Sequence, residues 1–294
     1  MADARGDDRN WAAELELGFA AEGGRTNLGR LAFWGPLRVQ RLFHPEGGGG
    51  DERLAEPAHC YILHPPGGLV SGDDLRIVLE AGGGAHALAT TPSAGKIYRA
   101  AAGSAVQRQR VEIAAAGGAI EWLPRETIVF SGARAELSLT ARLSGGGRFI
   151  GRETLILGRA AGDLPFAAGR LNQSFRLERE GVPILLERLE FAAGDALANG
   201  AFGLGGAGIL MGFWAAGSGA DASGLRRAAA IIKERLAEMA GGGRADATFR
   251  DGVAVVRYLG NDARQADRVA RLAWEAARPV LLGRPVCPPR IWNL

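Results

Sequence analysis

The chain has 294 residues, long enough to bury a substantial core as one large domain or two small ones. Its 35 Lys and Arg nearly balance 32 Asp and Glu, for a formal charge of +3, and no basic run interleaved with aromatics offers a track for a phosphate backbone, so nucleic acid is a poor fit as partner. Cys60 and Cys287 are too few for a disulfide framework, no signal peptide is recognisable, and every apolar stretch is broken well before the ~20 residues of a membrane span, so the expected setting is the reducing cytoplasm.

In chain order, residues 1–10 are charged and read as a disordered tail, with 11–294 as a single domain. Apolar residues then recur with a period of two: Leu15, Leu17 and Phe19; Leu75, Ile77 and Leu79; Ala135, Leu137, Leu139, Ala141 and Leu143; Leu171, Phe175 and Leu177. That spacing puts them on one face of a strand. Glycine clusters at 47–50, 82–84, 117–118 and 145–147 separate these runs as turns. There is no strict internal repeat, so the pattern predicts a mainly β protein, an irregular, β-helix-like stack of many short strands.

Two helices are predicted in the C-terminal third. In the first, Leu225, Ala229, Ile232, Leu236 and Met239 fall at three- and four-residue steps, with Asp221 or Ser223 as cap and Gly241 as stop. The second spans 262–278, with Val269, Leu272 and Ala276 on one face and Pro279 beyond its end. Residues 253–259 between them read as a strand.

No catalytic constellation emerges: the chain lacks a GxSxG elbow, HExxH, a Walker A loop and paired CxxC motifs. The glycines of 200–206 have no βαβ context and read as a bend. His59, Cys60 and His64 form a tempting cluster, but on a strand Cys60 and His64 stand roughly 13 Å apart at about 3.3 Å per residue. Such a pair cannot converge on one ion, whose bonds are about 2.0–2.3 Å long. Trp34, Trp122 and Trp292 fit interface anchors or interior packing, with packing the default.

Three acids break the alternation by falling on the apolar parity. Asp73 shares a face with Leu75 and Ile77, Glu153 with Phe149 and Leu155, and Glu187 with Leu185 and Leu189. An ionised carboxylate in an apolar interior needs a partner, hydrogen bonds or water. Arg152 or Arg188 could swing round to supply the partner, or a one-residue bulge could return the acid to solvent. The alternative is a polar passage inside the β-stack, in which carboxylates briefly hold a divalent cation.

Several unusual segments resemble the family of the urease accessory protein UreD, also called UreH. They include Gly35 to Gly47, Leu63-His64-Pro65-Pro66-Gly67-Gly68 running on to Asp73, Ala89 to Arg99, Glu121-Trp122-Leu123-Pro124 running on to Phe130, Arg257 to Gly260, and Arg278-Pro279 through Trp292. Pro65, Pro66, Gly67 and Gly68 also read physically as a rigid corner, because proline fixes φ and glycine supplies positive φ. Ser93, Gly95 and Ser131 depart from the family pattern, and no metal-handling role is carried onto them.

The resemblance implies a non-enzymatic assembly factor in a hetero-oligomeric complex, with no tightly bound cofactor. Its implied partners are apo-urease, UreF and, through UreF, the GTPase UreG. Nickel in transit to the urease active site would be its cargo. It also favours the passage reading for Asp73, Glu153 and Glu187; the alternative it leaves is a purely structural chaperone that conducts no nickel.

Overall fold

The computed structural model describes residues 11–159 and 162–293. The expected tail at 1–10 lies outside the described residues. A hairpin, β1 (Ala12–Glu22) and β2 (Arg25–Trp34), opens the fold and is followed by the short β3 (Arg38–Val39) and by β4 (Ala58–Leu63). The chain then winds in coils. One coil carries β5 (Asp74–Gly82), β6 (His86–Thr90) and β7 (Gly95–Ile97), and the next carries β8 (Gln107–Ala116), β9 (Ala119–Trp122) and β10 (Thr127–Val129). After these come β11 (Arg134–Ser144) and β12 (Arg148–Arg159).

Successive coils stack in parallel. Strands β1, β5, β8, β11 and β14 (Arg170–Arg179) form the middle of a seven-stranded sheet, flanked by antiparallel β2 at one edge and β15 (Val182–Ala192) at the other. The second sheet runs through β3, β4, β6, β9 and β12 and continues antiparallel into β16 (Ile209–Ala216), β18 (Val253–Gly260) and β17 (Arg244–Arg250). The short β13 (Leu164–Pro165) and β10 pair with β12, and β7 pairs with β10. This is the mainly β, helical-stack architecture expected from the alternation.

The glycine clusters are the corners of the stack. Gly84 donates to the Gly117 carbonyl at 3.0 Å and Gly117 to the Ser144 carbonyl at 2.9 Å, so adjacent coils are laced together where they turn. A Cβ on Gly118 would lie 2.7 Å from the Ala85 carbonyl oxygen, and one on Gly147 only 1.9 Å from that of Ala115. Neither neighbour can yield, because both belong to the adjacent coil's backbone. Coils of unequal length can share such corners, which is why the architecture shows no sequence repeat.

Two apolar cores follow. The alternating residues of β1, β5, β11 and β14 meet Trp122, Phe149 and Trp214 between the sheets. The outer face of the second sheet is covered by α2 (Ala222–Glu238) and α3 (Ala263–Leu282) through Leu225, Ile232, Val269 and Trp274. The short α1 (Ala196–Asn199) buries no residue. No helix among the described residues is long and apolar enough to cross a membrane.

Both long helices differ from expectation at their ends. Asp221 is the N-cap residue of α2, but its carboxylate serves Ser218, accepting from that backbone N–H at 2.8 Å and hydroxyl at 2.7 Å. The helix stops at Glu238, three residues before the bend at Gly241. α3 is capped by Asp262, which accepts from the amides of Arg264 and Gln265, and it runs through Pro279 to Leu282. A proline forfeits one N–H bond inside a helix, yet Leu281 and Leu282 beyond it are buried, and that packing carries the helix on. It ends at Gly283, whose φ of +67° is the left-handed conformation that glycine adopts without strain.

Candidate functional site

Glu153 and Glu187 come from different sheets and meet at one cavity. β12 presents Glu153 from the second sheet, while β14 and β15 bring Gln173 and Glu187 from the first. Together with Trp214 and Arg257 they line a cleft of about 520 Å³. Gly212, paired with Glu153 in the sheet, makes room for the Trp214 ring, from which a Cβ there would lie only 2.6 Å.

The two carboxylates are compensated unequally. Glu187 pairs with Arg257 and accepts the Trp214 indole N–H at 3.2 Å. Among the described residues Glu153 has a neutral partner only, the Gln173 amide at 2.8 Å. Desolvation raises its carboxyl to about 7, with the nearby Glu187 charge adding to the rise and the Gln173 bond opposing it. Near neutrality Glu153 thus exchanges a proton readily, and a cation entering the cleft could replace that proton.

Asp73 does not line this cleft. It is buried, as its parity predicts, but its carboxylate accepts the Val70 amide at 2.8 Å and the Trp11 amide at 3.1 Å, closing the turn that leads into β5. The arginines expected to neutralise the inward acids also go elsewhere. Arg152 pairs with Asp267 at 3.0 Å and Arg188 with Glu190 at 2.6 Å. Nor does a bulge release Glu187: the irregularity between β14 and β15 falls at Leu177/Glu178.

The Pro65, Pro66, Gly67, Gly68 segment forms a tight corner in which the Gly67 amide, at φ +79°, donates to the His64 carbonyl at 2.9 Å. Gly68 packs so closely that a Cβ would meet the Lys96 carbonyl at 2.8 Å. Cys60 is fully buried on β4, where desolvation pushes its thiol up to about 12. Of the three tryptophans, Trp122 is buried and Trp34 exposed, and Trp292 donates to the Thr90 hydroxyl at 2.9 Å while packing edge-on against Trp274.

A second constellation was not singled out by sequence reasoning. Glu121, on β9, accepts from Trp274 at 2.6 Å, from the Arg278 Nε at 3.0 Å and, across the sheet, contacts the His86 Nε2 at 2.8 Å. Arg278 also donates to Glu46 at 2.7 Å and to the Pro285 carbonyl. Glu46 in turn contacts the His59 Nε2 at 2.8 Å. Burial opposes the ionised form of Glu121, but the Arg278 charge and the hydrogen bonds from His86 and Trp274 prevail and hold its carboxyl at about 2. Burial keeps the His86 imidazole neutral by pulling its pKa down. The available signal was motif membership: Glu121-Trp122 and Arg278-Pro279 both lie in unusual segments, and they meet here.

The fold and these two constellations define a mainly β protein of stacked sheets that holds buried charge at two places, one between its sheets and one under α3. A profile described as UreD urease accessory protein matches residues 12–293. The chain is 45% identical over 287 residues to the urease accessory protein UreD of Chromohalobacter salexigens, covering 97% of this chain and 89% of that one. It is 43% identical over 291 residues to the protein of the same name from Marinobacter nauticus, covering 97% and 93%. With the UreD protein of Pseudomonas putida strain GB-1 it shares 39% identity over 285 residues, covering 97% and 95%. The chain belongs to the UreD urease accessory protein family.

Proposed function

We propose that the chain serves urease maturation as a non-catalytic scaffold in the cytoplasm. It binds apo-urease and UreF, reaches the GTPase UreG through UreF, and helps pass nickel toward the urease active site. The observation that carries the nickel part is the cleft between the sheets, where Glu153 and Glu187 face one volume whose two lining arginines are already paired, Arg257 with Glu187 and Arg188 with Glu190. An ion in transit needs contacts strong enough to replace part of its water shell and weak enough to release it. A half-protonated Glu153 beside a paired Glu187 fits that need better than a closed tetrahedral site would.

The test is co-expression of Glu153→Gln and Glu187→Gln, singly and together, with UreF, UreG and apo-urease. The expected result is a complex that still co-purifies but yields less nickel-dependent urease activity. Full activation by the double variant would overturn the passage. A purely structural chaperone, holding apo-urease ready without conducting nickel, draws support from Asp73, whose carboxylate is committed to two backbone amides. On that reading Asp73→Ala lowers activation only as far as it lowers stability.

A further inference from the structure

We propose that Glu46, His59 and Cys287 form a binding site for a borderline divalent transition-metal ion, separate from the cleft between the sheets. The three come from distant parts of the chain, yet a carboxylate oxygen, a ring nitrogen and the thiol sulfur lie within 4.8 Å of one another. A tetrahedral site with bonds of about 2.0–2.3 Å separates its ligand atoms by roughly 3.3–3.8 Å. Closing the longest gap therefore takes about 1 Å of side-chain movement, and Cys287, on the segment after α3, is only half-buried. Imidazole, carboxylate and thiolate together suit zinc, nickel or cobalt and disfavour magnesium and calcium.

The charge of the surroundings supports the assignment. Glu46 and Glu121 contribute two negative charges and Arg278 one positive, leaving one negative charge in a buried network. On binding, the Cys287 thiol releases its proton to solvent as the sulfur–metal bond forms, which brings the total to two. A divalent ion then neutralises the group, and compensation of this kind is what a buried charge requires.

The His59 ring can accommodate the ion too. Its Nε2 faces Glu46, and its Nδ1 is buried without a partner. Moving the ring proton from Nε2 to Nδ1 frees the Nε2 lone pair and gives up only the bond to Glu46, which the ion replaces.

The experiment is a titration of the purified, metal-free protein with Co²⁺. We expect one equivalent to bind, with a near-ultraviolet thiolate-to-cobalt charge-transfer band and one proton released per ion. Cys287→Ser and Cys287→Ala should each lose the band and weaken binding by at least about tenfold, while circular dichroism confirms the fold. Cys60→Ala and the Glu153→Gln/Glu187→Gln double variant should keep the band, which separates this site from the proposed passage. A band that survives in both Cys287 variants, saturable binding without any band, or no saturable binding would each overturn the proposal, the second showing an adventitious ion only.

Discussion

The cleft holding Glu153 and Glu187 and the network joining Glu46, Glu121 and Arg278 are both acidic groups inside a β-rich protein, but they are compensated in opposite ways. Glu121 receives a guanidinium, an indole N–H and an imidazole contact, whereas Glu153 receives one amide. Glu121 is held ionised down to about pH 2, while the Glu153 carboxyl is pushed up to about 7. Complete compensation fixes a structure in place. Partial compensation leaves a group free to exchange its proton for another cation.

The largest effect should come from opening the network. Arg278→Met leaves two buried carboxylates without their cation and should cost about 3–5 kcal/mol in denaturant unfolding. A smaller loss would mean that water reaches Glu121.

pH separates the two regions by sign. The folded-state carboxyl of Glu121 is depressed below the usual 4.5, so its stabilisation is present above 4.5 and is lost as pH falls toward 2. That of Glu153 is raised, so its contribution is complete below 4.5 and is lost as pH rises through 7. Glu153→Gln should therefore match the parent near pH 4.5 and exceed it by about 1–3 kcal/mol at pH 8. Melting temperatures across that range would show it, and a constant difference would break the contrast. The smallest effect lies outside both regions: Asp262→Ala removes the cap of α3 and should cost about 1 kcal/mol in denaturant unfolding.

The alternating strands β1, β5, β11 and β14 were legible because each buries one face only, so a period of two survives in the sequence. β9 buries all four of its residues, and Glu121 consequently breaks no visible pattern. Glu46 sits beside a glycine-rich loop that reads as a turn, and its partner Arg278 is 232 residues away. Parity located Glu153, Glu187 and Asp73 as inward acids but was blind to what each meets. Two face a common cleft and the third holds a turn. Likewise the search for metal ligands along β4 joined His59 to its strand neighbours, whereas the groups that converge on it come from a loop and from beyond α3.

The bond between Glu121 and Arg278 spans 157 residues, which has a consequence for biosynthesis. At about 5–20 residues per second, a ribosome takes roughly 8–30 s to travel from one to the other. During that interval the outer face of β9, which α3 later covers, is open to water, and the Glu121 carboxylate stays hydrated there. The coils from β4 to β12 can therefore pair as they emerge, and Glu121 loses its water only when α3 docks, bringing the guanidinium that compensates it.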